Sequence, residues 1–212
     1  MKSGYGDLVN EINSLIKSEV NLTVESKIKK FEELGQQTKE EIFLEMCFCI
    51  LTANFQAERG VIIHKAIERG FLTLNEKNLA RKLKELGYRF PNTRSQYIVE
   101  SRAQINQIYQ LSILEKPEIE SREWLVHNIK GLGMKESSHF LRNIGFKDLA
   151  IIDFHIIDLL EKYEIISKPI TMTKNKYLEI EGILRDIAHK LELYLAQLDL
   201  FLWFIETGKI IK

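Results

Sequence analysis

The sequence predicts an all-α protein, on three observations. Apolar residues recur at three- and four-residue spacing, as in Leu8, Ile12, Leu15 and Ile16 and again in Ile98, Ile105, Ile108 and Leu111, which is the period of a helix with one buried face. Alternating runs of the strand type are nearly absent. The three prolines, Pro91, Pro117 and Pro169, fall outside the long apolar-periodic segments, where a proline would break a helix.

About ten helices follow in order. The Leu8–Ile16 stripe sets the first at roughly 5–18, with a second at 21–34. The third, 38–52, carries the apolar run that holds Cys47 and Cys49. Helices at 56–69 and 75–85 are closed by Gly70 and Gly87, and those at 119–130 and 134–144 by Gly131 and Gly145, since glycine favours the position after a helix end. Between these pairs lies a long helix at 92–115. Asp153 is a preferred N-cap and opens a helix at 154–163. The last segment, 173–206, is expected to break near Glu192.

Composition bounds the class of protein. The chain has 212 residues, 45% hydrophobic and 28% charged, which suits a folded globular protein and excludes a disordered one. Lys and Arg number 30, and so do Asp and Glu. Any nucleic-acid surface must therefore be a local patch rather than a basic stripe. The two cysteines sit two apart, so on a helix they point in different directions. They form neither a CxxC pair nor a four-cysteine metal site and read as small core residues in a reducing compartment. The N-terminus lacks the apolar core of a signal peptide, and no apolar run approaches the ~20 residues of a membrane span. The expected location is the cytoplasm, at the nucleoid if the source is a prokaryote.

The most informative stretch is Ile129-Lys-Gly-Leu-Gly-Met-Lys-Glu-Ser-Ser-His-Phe-Leu141. A helix ends, the glycines make a tight turn, and a second helix begins near Met134. Backbone N–H groups at that helix start suit a phosphate oxygen. Lys135 falls in the first turn, where the helix dipole favours anions. A lysine placed there has a reason to lose its proton, and a neutral amine is a nucleophile.

This pattern resembles the helix-hairpin-helix motif of the DNA glycosylase superfamily, which is followed by an apolar strand-like run and an Asp. Here these are Leu149-Ala-Ile-Ile152 and Asp153. Met46–Phe55, Gly87–Phe90, Ser137–Asn143, Asp199–Trp203 and the terminal Thr207–Lys212 are similar to the archaeal-type (type 2) 8-oxoguanine DNA glycosylase/lyase family. The resemblance covers the chain from about residue 40 to 212. It implies two helical subdomains with the hairpin at the cleft between them. A barrel-like domain would span residues 37–150 and end in the hairpin at about 119–145. Residues 1–36 and 151–212 would form the second domain.

The resemblance also implies roles. Lys135 would attack C1′ of a flipped nucleotide, form a Schiff base and permit β-elimination. Asp153 would stabilise charge at C1′ or move protons; a helix cap alone is the competing reading. Phe90 and Trp203 would hold the purine, and the C-terminal Lys212 with its carboxylate would reach the lesion. Asn54 would insert into the duplex, while Gly131, Gly133 and His155 would meet the DNA backbone. Arg89 and Arg94 are weaker phosphate candidates. Relatives often place a basic residue between the Asp and the His; here it is Phe154, so one charge contact is in doubt.

No cofactor is expected. Hairpin carbonyls are candidates for a monovalent cation, and two cysteines cannot hold the iron–sulfur cluster that some relatives carry. The implied activity is base-excision repair: removal of 8-oxoguanine from double-stranded DNA by a monomer, with abasic-site lyase activity. The alternatives are a glycosylase for another oxidised base, a non-catalytic hairpin module that binds DNA, and an unrelated helical scaffold in which Gly-Leu-Gly is an ordinary helix end.

Overall fold

The computed structural model describes residues 3–113 and 117–210. All regular structure among them is helical. The order is α1 (Ser3–Ile16), α2 (Glu19–Gly35), α3 (Lys39–Thr52), α4 (Ala57–Ile67), α5 (Gly70–Thr73), α6 (Glu76–Glu85), α7 (Pro91–Ser101), α8 (Ile105–Ile113), α9 (Glu118–Asn128), α10 (Met134–Asn143), α11 (Phe154–Lys162), α12 (Lys174–Lys190) and α13 (Leu195–Thr207).

Local chemistry sets many of these boundaries. Ser18, Thr38, Asn75, Asp153 and Thr173 are N-caps whose side chains accept a first-turn N–H; an alanine at such a position costs about 1 kcal/mol. Pro91 opens α7, where its missing N–H is no loss. Gly208 closes α13 at φ 71.

Several expected boundaries moved. Gly70 does not end a helix: α4 closes at Glu68, a non-glycine residue with φ 49, and Gly70 opens the short α5 instead. The expected helix at 92–115 is two helices joined by a 3-10 turn at Arg102–Gln104. Arg102 Nε donates to the Phe71 carbonyl at 2.8 Å, and this tertiary bond tethers the chain at the joint. The break near Glu192 is present, with Glu192 at φ 56. The apolar run before Asp153 is irregular chain rather than strand.

Buried residues group into two cores. The first draws on residues 42–149, with Phe43, Phe48, Phe71, Ile98 and Phe140 at its centre. The second draws on residues 8–31 and 150–202, among them Leu8, Ile12, Leu160, Leu184 and Phe201. Helix α3 is the axis of the first: every residue from Ile42 to Thr52 is buried. Cys47 and Cys49 lie there as free thiols.

Buried ion pairs tie the two cores. Arg122 of α9 meets Glu181 of α12 with Nη2 donating to Oε1 at 3.0 Å, and Arg122 is wholly buried. Arg142 of α10 meets Asp199 of α13 at 2.8 Å, with its guanidinium also over the Phe31 ring of α2. Such pairs are expensive to desolvate and destabilising to break on one side only.

Candidate active site

A cleft of about 650 Å³ opens where the two cores meet, a size within the usual range for small-molecule sites. Phe48, Thr52, Asn54 and Phe55 line one wall; Ile152, Asp153, His155, Leu200 and Trp203 line the other; Lys135, Glu136, His139 and Arg142 come from α10.

The hairpin is built from α9, a turn and α10. Leu132 is buried in the first core and anchors the turn, and its N–H donates to the Ile129 carbonyl at 3.2 Å. Gly131 has φ 90, and a Cβ there would lie 2.6 Å from the Tyr97 ring. Only glycine fits both the angle and the space. Gly133 is the N-cap of α10 and offers no side chain to cap it, so first-turn N–H groups stay open to an outside oxygen. Helix α9 ends at Asn128, slightly earlier than expected.

Lys135 points into the cleft, about a quarter exposed, with Nζ 3.1 Å from Glu136 Oε1. Its neighbour Lys130 does not line the cleft. It is mostly exposed and paired to Glu100 at 3.0 Å.

Asp153 is held from behind. Glu181 Oε2 accepts the Ala150 N–H at 3.0 Å. Tyr177 donates to the Ala150 carbonyl at 2.6 Å and accepts the Ile152 N–H at 3.3 Å. Burial pushes the Tyr177 phenol up and keeps it a donor. At the end of this fastened segment Asp153 Oδ1 accepts the Ile156 N–H at 3.1 Å. The cap is real, and the same residue lines the cleft.

The other expected residues divide. Asn54 stands at the cleft with φ 57, a conformation that Asn tolerates. Trp203 and His155 line the cleft with their rings edge to face at 5.0 Å. His155 Nδ1 also lies 3.9 Å from Glu206, which ties it to α13. Arg89 lines the cleft. Phe90 does not: it packs on the first core with the guanidinium groups of Arg89 and Arg94 over its ring. Arg94 donates to the Ala53 carbonyl at 3.3 Å and is half-buried, which makes it a structural tie. Gly131 and Gly133 form the hairpin beside the cleft. Lys212 lies outside the described residues. Among the described residues no cluster of His, Cys, Asp or Glu could hold a metal. The Ile129 carbonyl accepts the Leu132 N–H with one lone pair, which leaves the other for a monovalent cation.

Sequence reasoning gave no role to Glu136, His139, Arg142 or Asp199, all of which line the cleft. A signal existed: residues 135, 139 and 142 share one face of α10, as 199 and 203 do of α13. Asp199 is mostly buried, and desolvation pushes its carboxyl up to about 6, with Arg142 and Lys135 opposing the shift and the Asp153 charge adding to it.

A lysine at a helix-hairpin-helix and a capping aspartate in one cleft define a class, the helix-hairpin-helix DNA glycosylases. The chain belongs to the 8-oxoguanine DNA glycosylase family, which residues 24–193 match. It is 48% identical to the 8-oxoguanine DNA glycosylase/AP lyase of Korarchaeum cryptofilum, over 99% of this chain and all of that one. It superposes on the Methanocaldococcus jannaschii 8-oxoguanine glycosylase/lyase, solved with a 15mer DNA containing 8-oxoguanine, with a TM-score of 0.93 at 47% identity, covering 97% of this chain and 99% of that one. The Thermotoga maritima 8-oxoguanine DNA glycosylase gives a TM-score of 0.91 at 39% identity, covering 98% and 100%.

Proposed function

We infer that this protein excises 8-oxoguanine from DNA and cleaves the strand at the resulting abasic site. The observation that carries the mechanism is the convergence of Lys135 and Asp153 on one cleft beside an open helix N-terminus. The lesion must leave the stack to be attacked. The Lys135 amine then bonds to C1′ as the bond from C1′ to the base breaks. Asp153 caps with one oxygen, and its carboxylate charge favours the positive charge that develops at C1′. Opening of the sugar gives a Schiff base, from which β-elimination cuts the strand.

Trp203 is the wall on which the flipped purine stacks. Phe90 packs on the first core, with Arg89 and Arg94 near its ring, and does not line the cleft, so the stacking role is given to Trp203. The C-terminal Lys212 reads the lesion. What supports this is the course of the tail: Gly208 turns the chain after α13, and Lys209 pairs with Glu58 of α4 at 3.1 Å, beside the cleft residue Ala57. Oxidation at C8 makes N7 of guanine a donor, so an acceptor presented there would tell the lesion from guanine.

Gly131, Gly133 and Lys135 meet phosphates through backbone N–H groups, Asn54 fills the gap left by the flipped base, and His155 supports Trp203. The lysine chemistry needs no cofactor, and a monovalent cation on hairpin carbonyls would serve DNA binding. The two cores support a first domain at 37–150 and a second from 1–36 with 151–212. The protein acts as a monomer on DNA in the cytoplasm. No helix among the described residues is long and apolar enough to cross a membrane.

Borohydride trapping on a duplex containing 8-oxoguanine tests this reading. Wild type should yield a covalent complex with that duplex and none with a guanine duplex. Lys135→Gln should yield none with either. Asp153→Asn should fold and cap normally, because Asn caps about as well as Asp, while excision falls roughly 100-fold, the scale of a single electrostatic contact at the reacting centre. Trapping by Lys135→Gln would refute the assignment of the nucleophile.

A further inference from the structure

Glu136 is a carboxylate in a place that ought to repel DNA. It sits in the first turn of α10, beside the open N–H groups of the hairpin. One of its oxygens is 3.1 Å from Lys135 Nζ. The other lies against Gly133, 3.3 Å from where a Cβ would stand. Both side chains line the cleft, and Glu136 is the more buried, 15% exposed against 24%.

This is not the ordinary ion pair of a helix surface. Those form between residues three or four apart, and adjacent residues do not face each other. Residues 135 and 136 meet because both side chains turn inward to the same cavity. The remaining cleft carboxylates are engaged elsewhere, Asp199 by Arg142 at 2.8 Å and Asp153 by the Ile156 N–H at 3.1 Å. Other charged or titratable groups facing the site are His139 on α10, His155 on α11, and Arg89 from the loop before α7.

We propose that Glu136 is the general base that takes the proton from Lys135. The proposal rests on the reading of Lys135 as the nucleophile. Glu136 carboxylate accepts one proton from the ammonium and becomes a carboxylic acid. The freed lone pair forms the bond from Nζ to C1′ while the bond from C1′ to the base nitrogen breaks, its electron pair leaving with the base. The proton held by Glu136 then neutralises the departing base and restores the carboxylate. Lys135 is left bonded to C1′ with two hydrogens and one positive charge, so atoms and charge balance. The close pair also accounts for a carboxylate that costs DNA affinity.

Single-turnover kinetics on 8-oxoguanine DNA and on preformed abasic-site DNA test the proposal, with thermal midpoints taken alongside. Glu136→Gln keeps the size of the side chain. It should slow both reactions about 100-fold near neutral pH, the scale of general base catalysis, and the rate should climb with pH where the wild type is level. It should bind abasic-site DNA more tightly, having lost a negative charge. Glu136→Ala should be rescued by sodium formate and not by sodium chloride at equal ionic strength, a result that a purely structural glutamate would not give. A wild-type rate for Glu136→Gln, or no formate rescue of Glu136→Ala, overturns the proposal. Trapping by Lys135→Gln overturns the reading beneath it and is seen without any Glu136 variant.

Discussion

The two sides of the cleft are built differently. The Asp153 side is fastened by a buried network: Glu181 and Tyr177 of α12 hold the backbone of 150–152 from behind, and Glu181 is itself paired to the wholly buried Arg122. The Lys135 side rests on a glycine turn, and its amine pairs with the mostly buried Glu136. The difference matches the roles proposed for the two groups. A carboxylate that stabilises charge at C1′ works best held still, since preorganised charge needs no rearrangement at the moment of reaction. An amine that forms a bond must leave its partner and travel. Buried hydrogen bonds are therefore concentrated behind Asp153, while Lys135 is held by a single ion pair to Glu136.

Breaking the rigid side should have the largest effect on the fold. Glu181→Ala strips Arg122 of its partner and leaves the Ala150 N–H unpaired. A loss of about 3–5 kcal/mol is expected for a buried pair broken on one side, measured by denaturant unfolding. The corresponding change on the Lys135 side, Glu136→Ala, should cost well under half of that.

Tyr177→Phe is a gentler cut. It removes the donor to the Ala150 carbonyl and the acceptor of the Ile152 N–H, worth about 1–3 kcal/mol for buried groups left unpaired. If rigidity behind Asp153 matters for chemistry, this variant should also lower the excision rate while leaving binding of abasic-site DNA nearly unchanged. Equal rates at full occupancy would show that Asp153 needs no such backing.

A pH-dependent effect concerns Asp199, which sits between the two sides. Its carboxyl is pushed up to about 6 from an ordinary 3.8, by burial first. The folded state therefore binds this proton more tightly than the unfolded chain does. Its contribution to stability is fully present below about pH 4 and is lost as pH rises through about 6. The difference in unfolding free energy between wild type and Asp199→Asn should fall over that window and be level above it. A difference that does not vary between pH 4 and pH 7 would mean that Asp199 is ionised throughout.

The same asymmetry governs what the sequence reveals. Lys135 and Asp153 were legible because local rules mark them: a glycine turn before a helix start, and an aspartate at an N-cap after an apolar run. The break at Glu192 and the end at Gly208 were legible for like reasons. Glu68 misled because a non-glycine residue takes the positive φ at the helix end where glycine was expected. The 3-10 turn at 102–104 hangs on Arg102 reaching Phe71, a contact that no local pattern announces. Phe90 lies outside the cleft lining and packs on the first core, with Arg89 and Arg94 near its ring. Asp199 and Glu136 carry charge into the cleft, yet in the sequence they look like any acidic residue on a helix. Their meaning comes from partners across the fold or from an inward turn of the side chain.

The most direct test of the account is to locate the covalent bond. Wild-type protein is reduced with borohydride while it acts on 8-oxoguanine DNA, then digested, and the DNA-linked peptide is sequenced by mass spectrometry. The account predicts the adduct on Nζ of Lys135. An adduct on Lys130, on Lys209, or on any other amine would contradict it, and with it the assignment of Glu136 as the base.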